Sequence, residues 1–216
     1  VRTPLNMIMG MAELLKETPL SDKQQEYVEN FKNASAHLLS LIDDILDMAR
    51  IDSNEVKFSG ETFNLLYFFE EVCQLIAPAC RLKNIQFYSQ IDPDLPQFIN
   101  TDPRRLRQIL INLLNNALKF TEKGYIELTM ELSRDQNEKS CMEISVRDTG
   151  IGIPPAKREE IFRAFYQVNP SVTRTKGGVG LGLSIVQAIV SRFRGSTKDS
   201  PDVWAWAAVT SSTTWA

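Results

Sequence analysis

The chain has 216 residues, a formal net charge of −3, 43% hydrophobic residues and 24% charged residues. This composition is typical of a soluble globular protein with one large or two small domains, and the weak charge disfavours nucleic acid or an anionic membrane as the main partner. No apolar run approaches the roughly eighteen residues of a membrane span, and the three cysteines lack metal-ligand spacing.

The first fifty residues predict two amphipathic helices joined by a turn. Apolar residues recur at alternating spacings of three and four, from Val1 in the first helix and from Val28 in the second. Ser21 followed by Gln24 predicts a capping box at the start of the second helix. Two helices cannot bury both stripes, so we expect a homodimeric four-helix bundle; a hairpin packed on a second domain is the alternative.

After a polar stretch, the remaining chain alternates between helix and strand patterns. We expect helices over 64–82 and 103–120, strands over 85–91, 125–132 and 141–148, and a last helix from Gly180 to about Arg192. This order predicts an α+β protein, in which an antiparallel helical hairpin is followed by an α/β sandwich with helices on one face of a mixed sheet.

Three short stretches of the second half carry the chemistry, and the first lies on the helix over 103–120. Asn112, Asn116 and Lys119 share one side of that helix, since residues three and four apart face the same way. Amide oxygens suit Mg²⁺, and a lysine one turn on can reach a phosphate. A buried, hydrogen-bonded asparagine pair is the alternative, although it does not explain the lysine.

The second stretch, Asp148 with Gly150 and Gly152, follows a predicted strand. An ionised carboxylate only accepts hydrogen bonds, so Asp148 can receive the exocyclic amine of adenine, and the glycines allow the backbone close to a flat base. An ordinary Asp-Gly turn is the alternative. The Ile-Pro-Pro sequence that follows favours a longer ordered loop.

The third stretch, Gly178–Leu183, runs into the last helix, whose first backbone amides can hold a phosphate. It is not the dinucleotide fingerprint, because no strand precedes it and the third glycine falls one residue early. The polar loop over 164–176 carries Arg174 and Lys176, which could close over a polyphosphate. Together the three stretches predict a pocket for ATP and its metal.

In order and spacing these three stretches, with a fourth segment between the second and the third, resemble the N, G1, F and G2 boxes of sensor histidine kinases. The matching residues are Asn112–Thr121, Asp148–Gly152, Ile161–Phe165 and Gly178–Leu183. The hairpin resembles the dimerisation and phosphotransfer domain of that family, and Arg2–Asn6 matches the tail of its H box. The resemblance implies that the γ-phosphoryl group of ATP passes to a histidine on the bundle and then to an aspartate of a response-regulator receiver domain.

The resemblance covers about residues 1–193 and implies a role for each matching position. Asn112 and Asn116 would hold Mg²⁺, and Asn112, Lys119 and Thr3 would be catalytic, Thr3 at a position that can orient water to dephosphorylate the partner. The ATP-binding residues would be Asn116, Lys119, Asp148, Gly150, Gly152, Arg174, Lys176, Gly178, Gly180, Leu181 and Gly182. The kinase core would be cytoplasmic, with a membrane reached only through segments upstream of Val1.

The chain departs from the family pattern at both ends. The phosphoacceptor His and its Glu would stand just before Val1, and the only histidine, His37, is interpreted as structural or solvated. We therefore expect ATP binding without autophosphorylation. The family continues after the last helix with two strands, but the tail shows no matching alternation, so we expect a truncated or out-of-frame end. The resulting division is 1–52 hairpin, 53–61 linker, 62–195 ATP-binding domain and 196–216 tail.

Two other functions compete with the kinase. An ATPase of the same fold, as in gyrase, mismatch-repair and chaperone proteins, carries a Glu as general base where this chain has Asn112, and an amide cannot take up a proton at neutral pH. A non-catalytic dimeric scaffold that binds nucleotide is the second alternative, because the chain as printed contains no phosphoacceptor of the H-box type.

Overall fold

The computed structural model describes residues 2–52, 59–134, 140–168, 179–196 and 205–211. These residues form two compact units, Val1–Glu55 and Val56–Ala216. Within the described residues, no helix combines the length and the apolar character needed to cross a membrane.

The first unit is an antiparallel pair of helices, α1 (Arg2–Lys16) and α2 (Asp22–Asp52). Ion pairs join Lys16 to Glu29 and Lys32 to Glu13 across the pair. At the start of α2 the Ser21 N–H donates to Gln24 Oε1 at 3.0 Å, which confirms one half of the predicted capping box. The Ser21 hydroxyl donates to the same Gln24 oxygen at 2.8 Å.

Little of the apolar stripe is covered within this hairpin. Leu5, Ala12 and Ser35 are buried. Val28 and Ile42 are partly exposed. Five further stripe residues are between 38% and 50% exposed: Ile8, Leu15, Phe31, Leu38 and Ile45. The hairpin alone therefore leaves a large apolar surface in water. His37 lies in α2, and its side chain is outside the described part of the chain.

The second unit contains three helices and six strands among its described residues. They are β1 (Glu61–Asn64), α3 (Leu65–Leu82), β2 (Gln86–Ile91), β3 (Phe98–Thr101), α4 (Pro103–Phe120), β4 (Tyr125–Arg134), β5 (Ser140–Asp148), α5 (Gly182–Ser196) and β6 (Ala205–Ser211). Two short 3₁₀ turns, Pro155–Lys157 and Glu160–Phe162, lie between β5 and α5. The predicted helices and strands are confirmed, but β1 and β3 were missed because four residues carry too little alternation.

The main sheet is mixed and has the strand order β2-β4-β5-β6. β4 pairs antiparallel with β5, whereas β2 and β6 pair parallel with β4 and β5. A separate antiparallel ladder joins β1 to β3. The predicted α+β class with a mixed sheet is confirmed.

The strand β6 corrects the expectation that the tail adds no strand to the sheet. It covers the edge of β5, with Cys141 opposite Ala205 and Val146 opposite Ser211. The physical reason is that the unpaired edge of β5 offers a row of backbone donors and acceptors. Trp, Val and Thr, which are all present in the segment, favour extended backbone.

The core lies between one face of this sheet and the three helices. Alternate residues of β4, Ile126, Leu128 and Met130, are fully buried, as the two-residue period of a strand requires. The helices contribute Leu65, Phe68, Val72, Leu106, Leu110, Leu114, Ile185 and Ile189. This apolar packing fixes the position of α4 beneath the sheet.

Asp102 sets the start of α4. Its Oδ1 accepts hydrogen bonds from the N–H groups of Arg104 at 3.1 Å and Arg105 at 3.2 Å, as an N-cap should. Its Oδ2 accepts the Ser59 N–H at 3.3 Å. The predicted bounds of α4 are therefore confirmed.

Candidate functional site

The helix α4 presents a polar side next to its buried one. Asn112, Asn116 and Lys119 are half-buried on this side, whereas Asn115 is exposed. The Asn112 side-chain amide donates to the carbonyl of Gly182 at 3.5 Å. This contact brings the first predicted stretch against the third, at the beginning of α5.

Asp148 ends β5 beside the other end of α4. Its Oδ1 accepts the Gly150 N–H at 2.8 Å and the Thr121 hydroxyl at 3.5 Å. Thr121 follows the last residue of α4 and is fully buried. The second predicted stretch is therefore held against the C-terminal end of the helix that carries the first.

Gly150 is required at this junction by close approach to the backbone. A Cβ atom there would lie 2.6 Å from the Phe120 carbonyl oxygen and 2.8 Å from Asp148 Oδ1. The neighbouring Thr149 fixes the loop to the start of β4, because its hydroxyl accepts the Tyr125 N–H at 2.9 Å. Sequence reasoning gave no role to Thr121 or Thr149, since these contacts join residues more than twenty positions apart.

The segment before α5 is shaped by Gly180. Its φ is 81°, and a Cβ there would lie 2.6 Å from the Tyr166 carbonyl oxygen. The Phe165 N–H donates to the Gly180 carbonyl at 3.0 Å. Leu181 is buried, and its carbonyl accepts the Ser184 hydroxyl at 2.8 Å. These contacts place Gly182 at the first position of α5, next to Asn112.

A polar cluster of Lys157, Glu160 and Tyr166 lies next to the segment before α5, because the Tyr166 backbone approaches Gly180. Glu160 Oε2 accepts both the Lys157 ammonium at 2.7 Å and the Tyr166 hydroxyl at 2.5 Å. The hydrogen bond from Lys157, followed in size by the one from Tyr166, lowers the pKa of Glu160. The hydrogen bond to Glu160 in turn raises the pKa of Lys157. Sequence reasoning missed this cluster, although its three residues lie within ten positions.

Among the predicted site residues that the structure describes, Lys119 is the one with a positive charge. Its ammonium lies 4.7 Å from the centroid of the Phe120 ring, within cation–π range. Partial burial lowers the pKa of Lys119, because an apolar environment disfavours the charged form. An anion beside it would favour the charged form and offset that effect.

The other predicted residues are Gly152, Thr3, Arg174, Lys176 and Gly178. Gly152 has a φ of 70°, in the left-handed region that suits glycine. Thr3 is exposed in the first turn of α1, in the other compact unit. Arg174, Lys176 and Gly178 lie outside the described residues.

The side chains of this site fit a hard cation that has few protein ligands and is held mainly by the phosphates of the nucleotide and by water. Among the residues described, no three His, Cys, Asp or Glu side chains converge on a common point. The Asn112 amide nitrogen is directed at Gly182 O, which leaves its oxygen for another partner. Mg²⁺ accepts such neutral oxygens and usually keeps waters and substrate phosphates as further ligands.

Both units match known protein families. Residues 101–213 match the model of the histidine kinase-, DNA gyrase B- and HSP90-like ATPases, and residues 1–54 match the His Kinase A phospho-acceptor domain. The chain therefore belongs to the histidine kinase-, DNA gyrase B- and HSP90-like ATPase family. The phospho-acceptor domain ahead of the ATPase domain identifies it more narrowly as part of a sensor histidine kinase.

Full-length relatives are much longer than this chain. Hybrid signal transduction histidine kinase L of Dictyostelium discoideum is 39% identical over 190 residues, which cover 88% of this chain and 11% of that protein. Histidine-protein kinase BarA of Escherichia coli strain K12 is 36% identical over 195 residues, which cover 90% of this chain and 21% of BarA. The chain thus spans a tenth to a fifth of these relatives.

Solved structures show the same fold. Full-length ShkA in complex with AMPPNP is 37% identical, with a TM-score of 0.72 over 89% of this chain and 39% of ShkA. The nucleotide-free catalytic domain of ThkA is 31% identical, with a TM-score of 0.51 over 65% of this chain and 85% of that domain.

Proposed function

We propose that the chain is the kinase core of a two-component signalling protein, which transfers the γ-phosphoryl group of ATP to a protein histidine. The observation that carries this proposal is the position of α4. One end of the helix contacts Asp148 through Thr121, and its middle contacts Gly182 through Asn112. The helix α4 therefore connects Asp148, which would recognise the base, with the N-terminus of α5, which is suited to binding phosphate.

At the base end, Asp148 receives the adenine amine. An ionised carboxylate offers acceptors only, so it pairs with the exocyclic amine of adenine and repels the carbonyl that guanine carries at the same position. Gly150 and Gly152 bring the backbone close to the plane of the base.

At the phosphate end, Asn112 and Asn116 hold Mg²⁺ and Lys119 contacts the phosphates. The bound ion would neutralise charge on the transferred group. The backbone amides at Gly180–Gly182 bind phosphate oxygens at the start of α5. Arg174, Lys176 and Gly178 complete the phosphate contacts in this proposal.

The residue at position 112 favours transfer over hydrolysis. An ATPase of this fold needs a general base for water, and the amide of Asn112 cannot accept a proton at neutral pH. The γ-phosphoryl group is then best transferred to a nucleophile that needs no general base to remove a proton before it attacks, such as a neutral imidazole nitrogen.

Alanine at Asn112 or Asn116 is expected to weaken Mg·ATP binding by about tenfold while leaving metal-free ATP binding near the wild-type value. Asn115→Ala on the exposed side of α4 is the matched control. Calorimetric titration with Mg²⁺ or with EDTA measures both affinities. Equal losses under the two conditions would argue against a metal role for these amides, and a wild-type chain that binds no ATP would refute the nucleotide site.

The hairpin over 1–52 forms a homodimeric four-helix bundle in this proposal. Its support is the row of half-exposed apolar residues, including Phe31 and Ile45, which a second copy would cover. Sedimentation equilibrium should give a dimer for the wild type and for Asn30→Asp, an exposed polar control, but a monomer for Phe31→Asp. A wild-type monomer at micromolar concentration would contradict the bundle.

The same hairpin presents the phosphohistidine to the aspartate of a receiver domain, and Thr3 orients water when the phosphoryl group is removed from that partner. Residues 53–61 link the hairpin to the ATP-binding domain over 62–195, followed by the tail over 196–216. Because ATP is the donor, this core works in the cytoplasm. Transfer of label from the phosphorylated core to a receiver domain tests the partner.

A further inference from the structure

Thr121 is held at the end of α4 by its own backbone. Its N–H donates to the Ala117 carbonyl at 2.9 Å, which closes the last turn of the helix. Its side chain is 0% exposed, and a hydroxyl so deeply buried needs a hydrogen-bond partner. The described residues provide Asp148 Oδ1 at 3.5 Å.

The two donors to Asp148 meet on the same carboxylate oxygen. Oδ1 accepts the Gly150 N–H at 2.8 Å as well as the Thr121 hydroxyl. Among the described residues no donor is hydrogen-bonded to Oδ2. The contact of 3.5 Å is long for a hydrogen bond. Together with the shorter Gly150 bond it engages Oδ1 and leaves Oδ2 for another partner.

Thr121 also ties Asp148 to a different element of the fold. The Gly150 N–H lies in the same loop as Asp148 and therefore moves with it. The Thr121 hydroxyl belongs to the end of α4, the helix that carries Asn112 and Asn116. The distance between the base-recognition oxygen and the metal ligands is thus set along one rigid helix.

We propose that Thr121 is the positioning residue that sets the base preference of the nucleotide site. The inference rests on the proposed function of Asp148 as the acceptor for the adenine amine. With Oδ1 held by Thr121 and Gly150, Oδ2 points at the amine of a 6-aminopurine nucleotide. Without the Thr121 hydroxyl, the Asp148 carboxylate is held only by its own loop, so it can rotate and its contact with the adenine amine weakens.

The test compares ATP with purine riboside 5′-triphosphate, which lacks the 6-amino group, in calorimetric titrations of the 216-residue chain. Thr121→Val keeps the shape of the side chain and removes the hydroxyl. It is expected to weaken ATP binding about fivefold and to change binding of the analogue by less than about twofold. Thr121→Ser retains the hydroxyl and is expected to keep the wild-type preference for ATP.

A double-mutant comparison separates positioning from packing. In an Asp148→Asn background the valine substitution is expected to have no further effect on the preference for ATP. Equal weakening of ATP and analogue by Thr121→Val, or an unchanged preference, would overturn the role of Thr121 alone. A wild-type chain without preference for ATP would instead overturn base recognition by Asp148. Should Thr121→Val fail to fold, as judged by its melting curve, Thr121→Ala replaces it with the same expected outcomes.

Discussion

Gly150→Ala is expected to lower ATP affinity by at least about tenfold, because the added methyl group meets backbone on one side and Asp148 on the other. The new Cβ would lie 2.6 Å from the Phe120 carbonyl oxygen and 2.9 Å from its carbonyl carbon. A helix end cannot yield as a flexible side chain does, so the loop must move and take Asp148 with it. Titration with ATP and a melting curve measure the two consequences.

Gly10→Ala is the matched control for this prediction. Gly10 lies inside α1, and a Cβ there has no heavy atom within 4 Å. Alanine is expected to stabilise the hairpin by roughly 0.5–1 kcal/mol and to leave ATP affinity unchanged. Wild-type ATP affinity in Gly150→Ala would show that the position of this loop does not determine nucleotide binding.

Adding His-Glu directly before Val1 is expected to convert a chain that incorporates no label from γ-labelled ATP into one that forms phosphohistidine. The H-box resemblance assigns the acceptor to this position, and Arg2–Asn6 supplies the rest of the motif. In the reaction an imidazole nitrogen bonds to the γ-phosphorus, the bond to the β-γ bridging oxygen breaks, and ADP leaves. Incorporation is measured under alkaline conditions, in which phosphohistidine survives. No label on the extended chain, with ATP binding intact, would argue for the scaffold alternative.

The helix α4 could be predicted from sequence because its signals are local. Asp102 caps it, Pro103 occupies its first position, and its apolar period is regular. The motifs on and around it are equally local, so the sequence alone predicts Asn112 and Asp148 as site residues. The structure adds that Asn112 lies within this helix and that Asp148 contacts the end of it through Thr121.

The contacts that hold the site together could not be read from the sequence. Thr121 meets Asp148 across 27 positions, and Asn112 meets Gly182 across 70. Such pairs arise only when the sheet and helices have packed, so no local pattern predicts them. The strand β6 was missed for a related reason, since its pairing depends on the free edge of β5 rather than on its own alternation.

The position of the label in the extended and unextended chains tests the kinase assignment most directly. The proposal predicts phosphate on the added histidine, none on the 216-residue chain, and loss of label in the extended chain when Asn112 is replaced by alanine. Mass spectrometry of the peptides under alkaline conditions identifies the modified residue. Label on His37, or full incorporation by the Asn112→Ala chain, would contradict the proposed transfer.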